Sequence, residues 1–277
     1  MTLLRHDNFP SRQVAPRHVD VWLPPDYDAG AARRYPVLYM HDGQNCFDPA
    51  DAAFGVAWEA QRALERQIAA RQARPAIIVG VWNRHMLRYP EYRPAKPFRY
   101  LSQPARELVT AGLGGMPFSD DYLAFLADEL KPFIDDTYRT LPGRDDTFIM
   151  GSSMGGLISL YAVCEYPDVY GAAACLSTHW PAVEGVMAPY LRDRLPVPAT
   201  HRLYFDRGTD ALDALYAPLQ AQIDLLVAAA GYQRGDNWAS LVFPGAGHFE
   251  TDWQRRVHIP LRFLLRATKE LSADWAE

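Results

Sequence analysis

At 277 residues, the chain is long enough to bury roughly 75% of its unfolded surface. Its 49% hydrophobic and 22% charged residues are ordinary globular usage, which excludes disorder, collagen-like repeats and small disulfide scaffolds. A formal net charge of −5 with no basic run argues against nucleic acid as a partner, and no apolar run approaches the ~20 residues that span a bilayer.

In chain order, apolar, β-branched or aromatic runs predict strands at 19–23 and 37–41, then a helix over 57–68 with Trp58, Leu64 and Ile68 among charges. A strand at 76–82 follows. Residues 84–118 read as irregular, with five prolines and three glycines, and a loop this long in a compact domain is usually functional or mobile. The run 120–138 carries Tyr122, Phe125, Leu126, Leu130 and Ile134 at helical spacing, and Pro132 should kink or split it. Next come strand 147–150, helix 154–161, strands 171–176 and 202–205, helix 212–229, strand 240–243 and helix 252–267. Strands alternating with helices predict an α/β fold with a mostly parallel central sheet covered on both faces. The early strands precede any helix, which predicts an antiparallel start. No linker separates two cores, so residues 1–277 are expected to form one domain.

The three cysteines, Cys46, Cys164 and Cys175, lack metal-ligand spacing, and no zinc or disulfide framework is expected. Cys164 and Cys175 are expected to be small buried hydrophobes. The N-terminal residues lack the pattern of a secretory signal, so the expected location is the cytoplasm.

Residues 151–155 read Gly-Ser-Ser-Met-Gly, a G-x-S-x-G pattern centred on Ser153. A predicted strand ends before it and a helical run begins after it, the context a nucleophile elbow requires. Such a serine must sit on a strained turn so that its hydroxyl stands above the sheet. Gly151 and Gly155 leave room where strand and helix crowd. Ser152 is out of register for this role and is expected in the turn, with a side-chain hydrogen bond.

A neutral hydroxyl is a poor nucleophile, so a histidine must take its proton as attack begins. In the chain order Ser, acid, His, the base comes late. His201 opens a strand and His258 lies in a helical pattern. His248 follows Pro244-Gly245-Ala246-Gly247, a loop able to bring an imidazole over the sheet edge. The acid is expected after strand 202–205, where Asp206, Asp210 and Asp213 compete. Asp206 continues the strand and can pair with Arg207, while Asp213 would serve equally well in the first turn of a helix. Spacing leaves the choice open. Such a triad, with two hydrogen-bond donors, suits acyl transfer through a tetrahedral oxyanion.

With these residues assembled, the chain resembles the esterase family of α/β hydrolases that includes enterochelin esterase, feruloyl and acetylxylan esterase domains, S-formylglutathione hydrolase and the mycolyltransferases. Seven ordered blocks carry the resemblance: residues 34–44, 80–92, 129–140, 151–157, 176–180, 205–213 and 247–253. It implies the α/β-hydrolase fold, with Ser153 as nucleophile and His248 as base. Members keep an Asp where Asp213 stands, while others place the acid nearer the glycine, at Asp210. It also implies an oxyanion hole from the N–H groups of Met154 and Gln44, with Gly43 letting the backbone approach.

Strand ends at the carboxyl edge of such a sheet face the ligand crevice. Trp82, Asn83, Thr178, His179 and Trp180 stand at such ends, and Trp82 and Trp180 could wall an acyl or aryl group. Arg88 and Glu91 are expected to pair and hold the proline-rich loop. Glu250 and Trp253 are expected to brace the His248 loop, and Trp58, Phe125 and Tyr138 to lie in the core. The expected activity is hydrolysis of a small-molecule carboxylic ester without cofactor or metal. Acyl transfer by the same triad and a catalytically silent binding module are the alternatives.

Overall fold

The computed structural model describes residues 2–27, 32–112, 115–183 and 185–266. Its strands are β1 (Thr2–Phe9), β2 (Arg17–Leu23), β3 (Val37–His41), β4 (Ile77–Val81), β5 (Thr147–Ser152), β6 (Ala172–Leu176), β7 (Arg202–Gly208) and β8 (Trp238–Phe243). They form one sheet in the order β1-β2-β4-β3-β5-β6-β7-β8. The pairs β1–β2 and β2–β4 are antiparallel and the others parallel. The α/β class and the antiparallel start therefore match expectation.

Strand alternation explains why both faces are covered. Val37 and Tyr39 enter one core, with Tyr122, Leu126, Leu157 and Tyr161. Leu38 and Met40 enter the other, with Trp58, Leu64, Trp253 and Phe263. Side chains two apart share a face, so a strand covered on both sides reads as a continuous apolar run.

Several elements differ from expectation. β1 was not foreseen, because TLLRHDNF is polar and mostly exposed; it is an edge strand whose order comes from pairing with β2. The run 120–138 divides into Ser119–Ala124, a widened π-helical stretch Phe125–Leu130, and Lys131–Thr137, with Pro132 in the first turn of the last piece. Among the described residues of 84–118 lie two α-helices, Arg88–Tyr92 and Gln103–Gly112, and two 3₁₀ turns, His85–Leu87 and Lys96–Tyr100. The expected helix 212–229 is a 3₁₀ turn, Ala211–Tyr216, followed by helix Ala217–Ala229. The last helix is two, Glu250–Arg256 and His258–Leu264, and residue 267 lies outside the described residues. A helix at Met187–Arg194 was also not foreseen. Trp58, Phe125 and Tyr138 are buried, and all three cysteines are buried and free.

Glu91 does not pair with Arg88. Its carboxylate takes a two-pronged bond from Arg17, at 2.6 and 2.9 Å, with both side chains fully buried. The Arg17 guanidinium also lies over the rings of Tyr122 and Phe125, 5.1 and 5.2 Å from their centroids. Arg88 instead grips Asp42 through two 2.7 Å bonds.

The chain runs from β3 to β4 on one side and then returns to β5 on the other side of β3. Strand order reverses there, so the segments leaving β3 and β5 turn to opposite faces of the sheet, Leu64 entering one core and Leu157 the other, and a crevice opens between them.

Candidate active site

Ser153 lies at this crevice, between β5 and helix Met154–Glu165, with φ 58 and ψ −120. A non-glycine residue avoids this backbone unless its surroundings hold it there. Here they do. Ser153 N–H donates to Leu176 O at 2.8 Å, and its carbonyl accepts from Gly156, Leu157 and His179. The turn is possible because strand and helix can touch: a Cβ at Gly151 would lie 2.7 Å from the Gly155 carbonyl carbon. Ser152 ends β5 instead of entering the turn, and its side chain makes no hydrogen bond among the described residues.

His248 Nε2 is 2.9 Å from Ser153 Oγ, and His248 Nδ1 is 2.6 Å from Asp213 Oδ1. Asp213, in the 3₁₀ turn after β7, is fully buried. Burial pushes its carboxyl up, but hydrogen bonds from His248, Ser177 and the Gly208 N–H outweigh this and hold it below the usual range. An ionised carboxylate only accepts, so Nδ1 carries a proton, and a neutral ring then presents the Nε2 lone pair to Ser153.

Asp210 is not part of this cluster. It is exposed, caps the 3₁₀ turn in extended conformation, and accepts from the Thr209 hydroxyl at 3.1 Å. Asp206 is buried and pairs with Arg256, not Arg207.

The His248 loop is tied to the Asp213 loop by backbone. Ala246 O accepts from the N–H groups of Thr209 and Asp210, both at 3.0 Å. The fit leaves no space at Gly208, where a Cβ would lie 2.0 Å from Ala246 O. Edge-on contacts from Trp253 (4.9 Å between centroids) and Tyr216 (5.6 Å) fix the imidazole plane. Trp253 thus braces His248, as expected. Glu250 opens the following helix and lines the crevice; burial, reinforced by Asp42, pushes its carboxyl up.

Met154 is the first residue of its helix, so its N–H has no acceptor within it. Gln44 lies in the 3₁₀ turn Gly43–Asn45, where the N–H groups of Asn45 and Cys46 bond back to Asp42 and Gly43; the Gln44 N–H precedes the first of these bonds. Gly43 is needed for a different approach from the one expected: a Cβ there would meet the Gly80 backbone at 2.4 Å. Asn83 ties the loop down, donating from its N–H to Gln44 Oε1 (3.2 Å) and from its amide to Asp42 Oδ1 (2.7 Å). Arg88 and Asn83 hold the Asp42 carboxyl below its usual range, despite burial that pushes it up.

The crevice has a volume of about 660 Å³ and is lined by Ser153, His248, Gln44, Asn83, Arg88 and Glu250, with Phe54, Val56, Phe249 and Trp253 as its apolar wall. Other expected wall residues lie elsewhere. Trp82 donates to Asp20 at 2.8 Å, stacks under Arg5, and lines a separate small recess with Arg17 and His18. Trp180 is buried against Phe205, with its indole N–H on Gln220. The His179 ring bonds the Tyr216 hydroxyl at 2.6 Å, and burial lowers its pKa to about 4. Thr178 is buried, its hydroxyl on Cys175 O. Phe54, Val56 and Phe249 gave no local signal in the sequence, since isolated apolar residues outside helices and strands match no periodic pattern.

The model of the family described as "Putative esterase" matches residues 14–262. The uncharacterized protein YbbA of Bacillus subtilis (strain 168) is 25% identical over 199 residues, which are 70% of this chain and 68% of that one. A ferulic acid esterase structure superposes with a TM-score of 0.68 at 20% identity, covering 95% of this chain and 98% of that one. An IroE-like serine hydrolase from Shewanella oneidensis gives 0.64 at 20% identity, covering 94% and 77%. Both share the fold. No described helix is long and apolar enough to cross a membrane.

Proposed function

As the chain belongs to the esterase family of α/β hydrolases, we propose that it is a serine carboxylic-ester hydrolase acting on a small-molecule ester. The observation that carries this reading is one imidazole bridging Ser153 Oγ at 2.9 Å and a buried carboxylate at 2.6 Å, at the mouth of a crevice.

Ser153 Oγ attacks the ester carbonyl carbon while His248 Nε2 takes the hydroxyl proton. Asp213 stabilises the resulting imidazolium without taking its proton. The carbonyl oxygen becomes an oxyanion, met by the N–H groups of Met154 and Gln44. His248 then gives its proton to the departing alkoxide, leaving an acyl group on Ser153. Water repeats the sequence, released by the same base, to yield the acid and free Ser153. The rigid turn at Ser153 and the Asn83 tether on Gln44 support this reading, because preorganised donors need not reorganise during the reaction.

The test is hydrolysis of acetyl, butyryl and octanoyl p-nitrophenyl esters, with labelling by a fluorophosphonate. Wild type should turn over and label, and Ser153→Ala should do neither. Unchanged hydrolysis by Ser153→Ala overturns the proposal. Added alcohol or sugar acceptors in the same assay separate hydrolysis from acyl transfer.

A further inference from the structure

Behind Asp213 lies a buried hydroxyl with no place in the reaction just described. Ser177 follows β6 and is fully buried at φ 41. Its Oγ has three partners: Asp213 Oδ2 at 2.6 Å, Arg256 Nη2 at 2.8 Å and Trp253 Nε1 at 3.0 Å. An indole N–H and a guanidinium can only donate. A hydroxyl has two lone pairs and one proton, so these two donors fill its acceptor capacity. Its proton then has one destination, the carboxylate.

We propose that Ser177 is a positioning residue whose hydroxyl, aimed by Trp253 and Arg256, locks the Asp213 carboxylate in the orientation that serves His248. This rests on the reading of Ser153, His248 and Asp213 as the reacting set.

The geometry divides the two carboxylate oxygens. Oδ2 takes the Ser177 hydroxyl and the Gly208 N–H at 2.7 Å, and Oδ1 takes His248 at 2.6 Å. The carboxylate cannot turn without giving up a donor. Ser177 also keeps a cation at bay. Arg256 Nη2 is 4.0 Å from Asp213 Oδ2 and is committed to Asp206 Oδ1 at 3.1 Å and to Ser177 Oγ. With the hydroxyl gone, Arg256 loses an acceptor and Asp213 loses a donor. The two are then free to pair directly, at the expense of the bond to His248.

The experiment compares wild type, Ser177→Ala and Ser177→Gly. Both variants remove the hydroxyl, and glycine accepts the positive φ without strain, so the glycine variant folds even where alanine is strained. One readout is steady-state hydrolysis of p-nitrophenyl acetate. The other is the proton resonance of His248 Nδ1–H, which a short bond to a carboxylate carries far downfield. This second readout needs no turnover. The expected result is a kcat lower by about tenfold or more in both variants, with KM within about twofold, and a displaced or exchange-broadened resonance. A resonance unmoved in a folded variant overturns the proposal, as does a Ser177→Gly kcat within about threefold of wild type. If wild type neither hydrolyses esters nor labels with fluorophosphonate, the esterase reading falls, and the resonance still decides whether Ser177 holds Asp213.

Discussion

Asp213→Asn keeps the shape of the acid, removes its charge and turns one acceptor atom into a donor. Its outcome follows from the partners on each side. Oδ2 faces donors, the Ser177 hydroxyl and the Gly208 N–H, at 2.6 and 2.7 Å. The new amide must turn its oxygen to that side, because the opposite orientation leaves buried donors unmet at about 1–3 kcal/mol each. Its NH₂ then faces His248 Nδ1, which has to accept. The ring proton moves to Nε2, 2.9 Å from Ser153 Oγ, and Nε2 can no longer take the serine proton. The wrong tautomer costs about 10⁴-fold in kcat, or about 5 kcal/mol of transition-state stabilisation. Rates on p-nitrophenyl acetate measure it, with thermal melts to show that the fold is intact. Asp210→Asn, at an exposed site, should stay within about twofold. A folded Asp213→Asn variant that keeps more than about a tenth of the wild-type rate would refute this reasoning.

Three further outcomes are expected. Burial lowers the His41 pKa to about 3, so below ~6.5 the unfolded chain takes up a proton that the folded chain refuses, and stability falls as pH drops through that window. At pH 5 this amounts to roughly 2 kcal/mol, and His41→Gln should remove that share of the difference between urea unfolding at pH 7 and pH 5; an unchanged difference counts against it. Gly208→Ala drives a Cβ to 2.0 Å from Ala246 O; the strain should cost about 1–3 kcal/mol in unfolding free energy and lower kcat by displacing His248, whereas wild-type melting and turnover would show that the loops yield freely. Glu91→Ala leaves the fully buried Arg17 charge without its carboxylate; urea titration should show a loss of about 3–5 kcal/mol, and a loss under about 1 kcal/mol would mean that the cation finds another partner.

The sequence by itself determined what depends on near neighbours and on periodicity. Apolar runs of strand length and helical spacing marked the central sheet and its covering helices. Gly151 and Gly155 around Ser153 marked the sharp turn, because the steric demand of that turn is met by residues within five positions. His248 was legible from order along the chain and from the glycines before it. Asp213 and Asp210 were not separable this way, since both lie in one loop with similar neighbours. The tertiary structure separates them: the 3₁₀ turn Ala211–Tyr216 carries Asp213 inward against His248 and leaves Asp210 in solvent. It also sent Trp82 to Asp20 and Trp180 into the core, because a residue at a strand end can point to either face. Ser177 and Arg256 meet across 79 positions of sequence. No local pattern encodes such a contact, because it exists only once β6, β7 and the helix after His248 have packed in register.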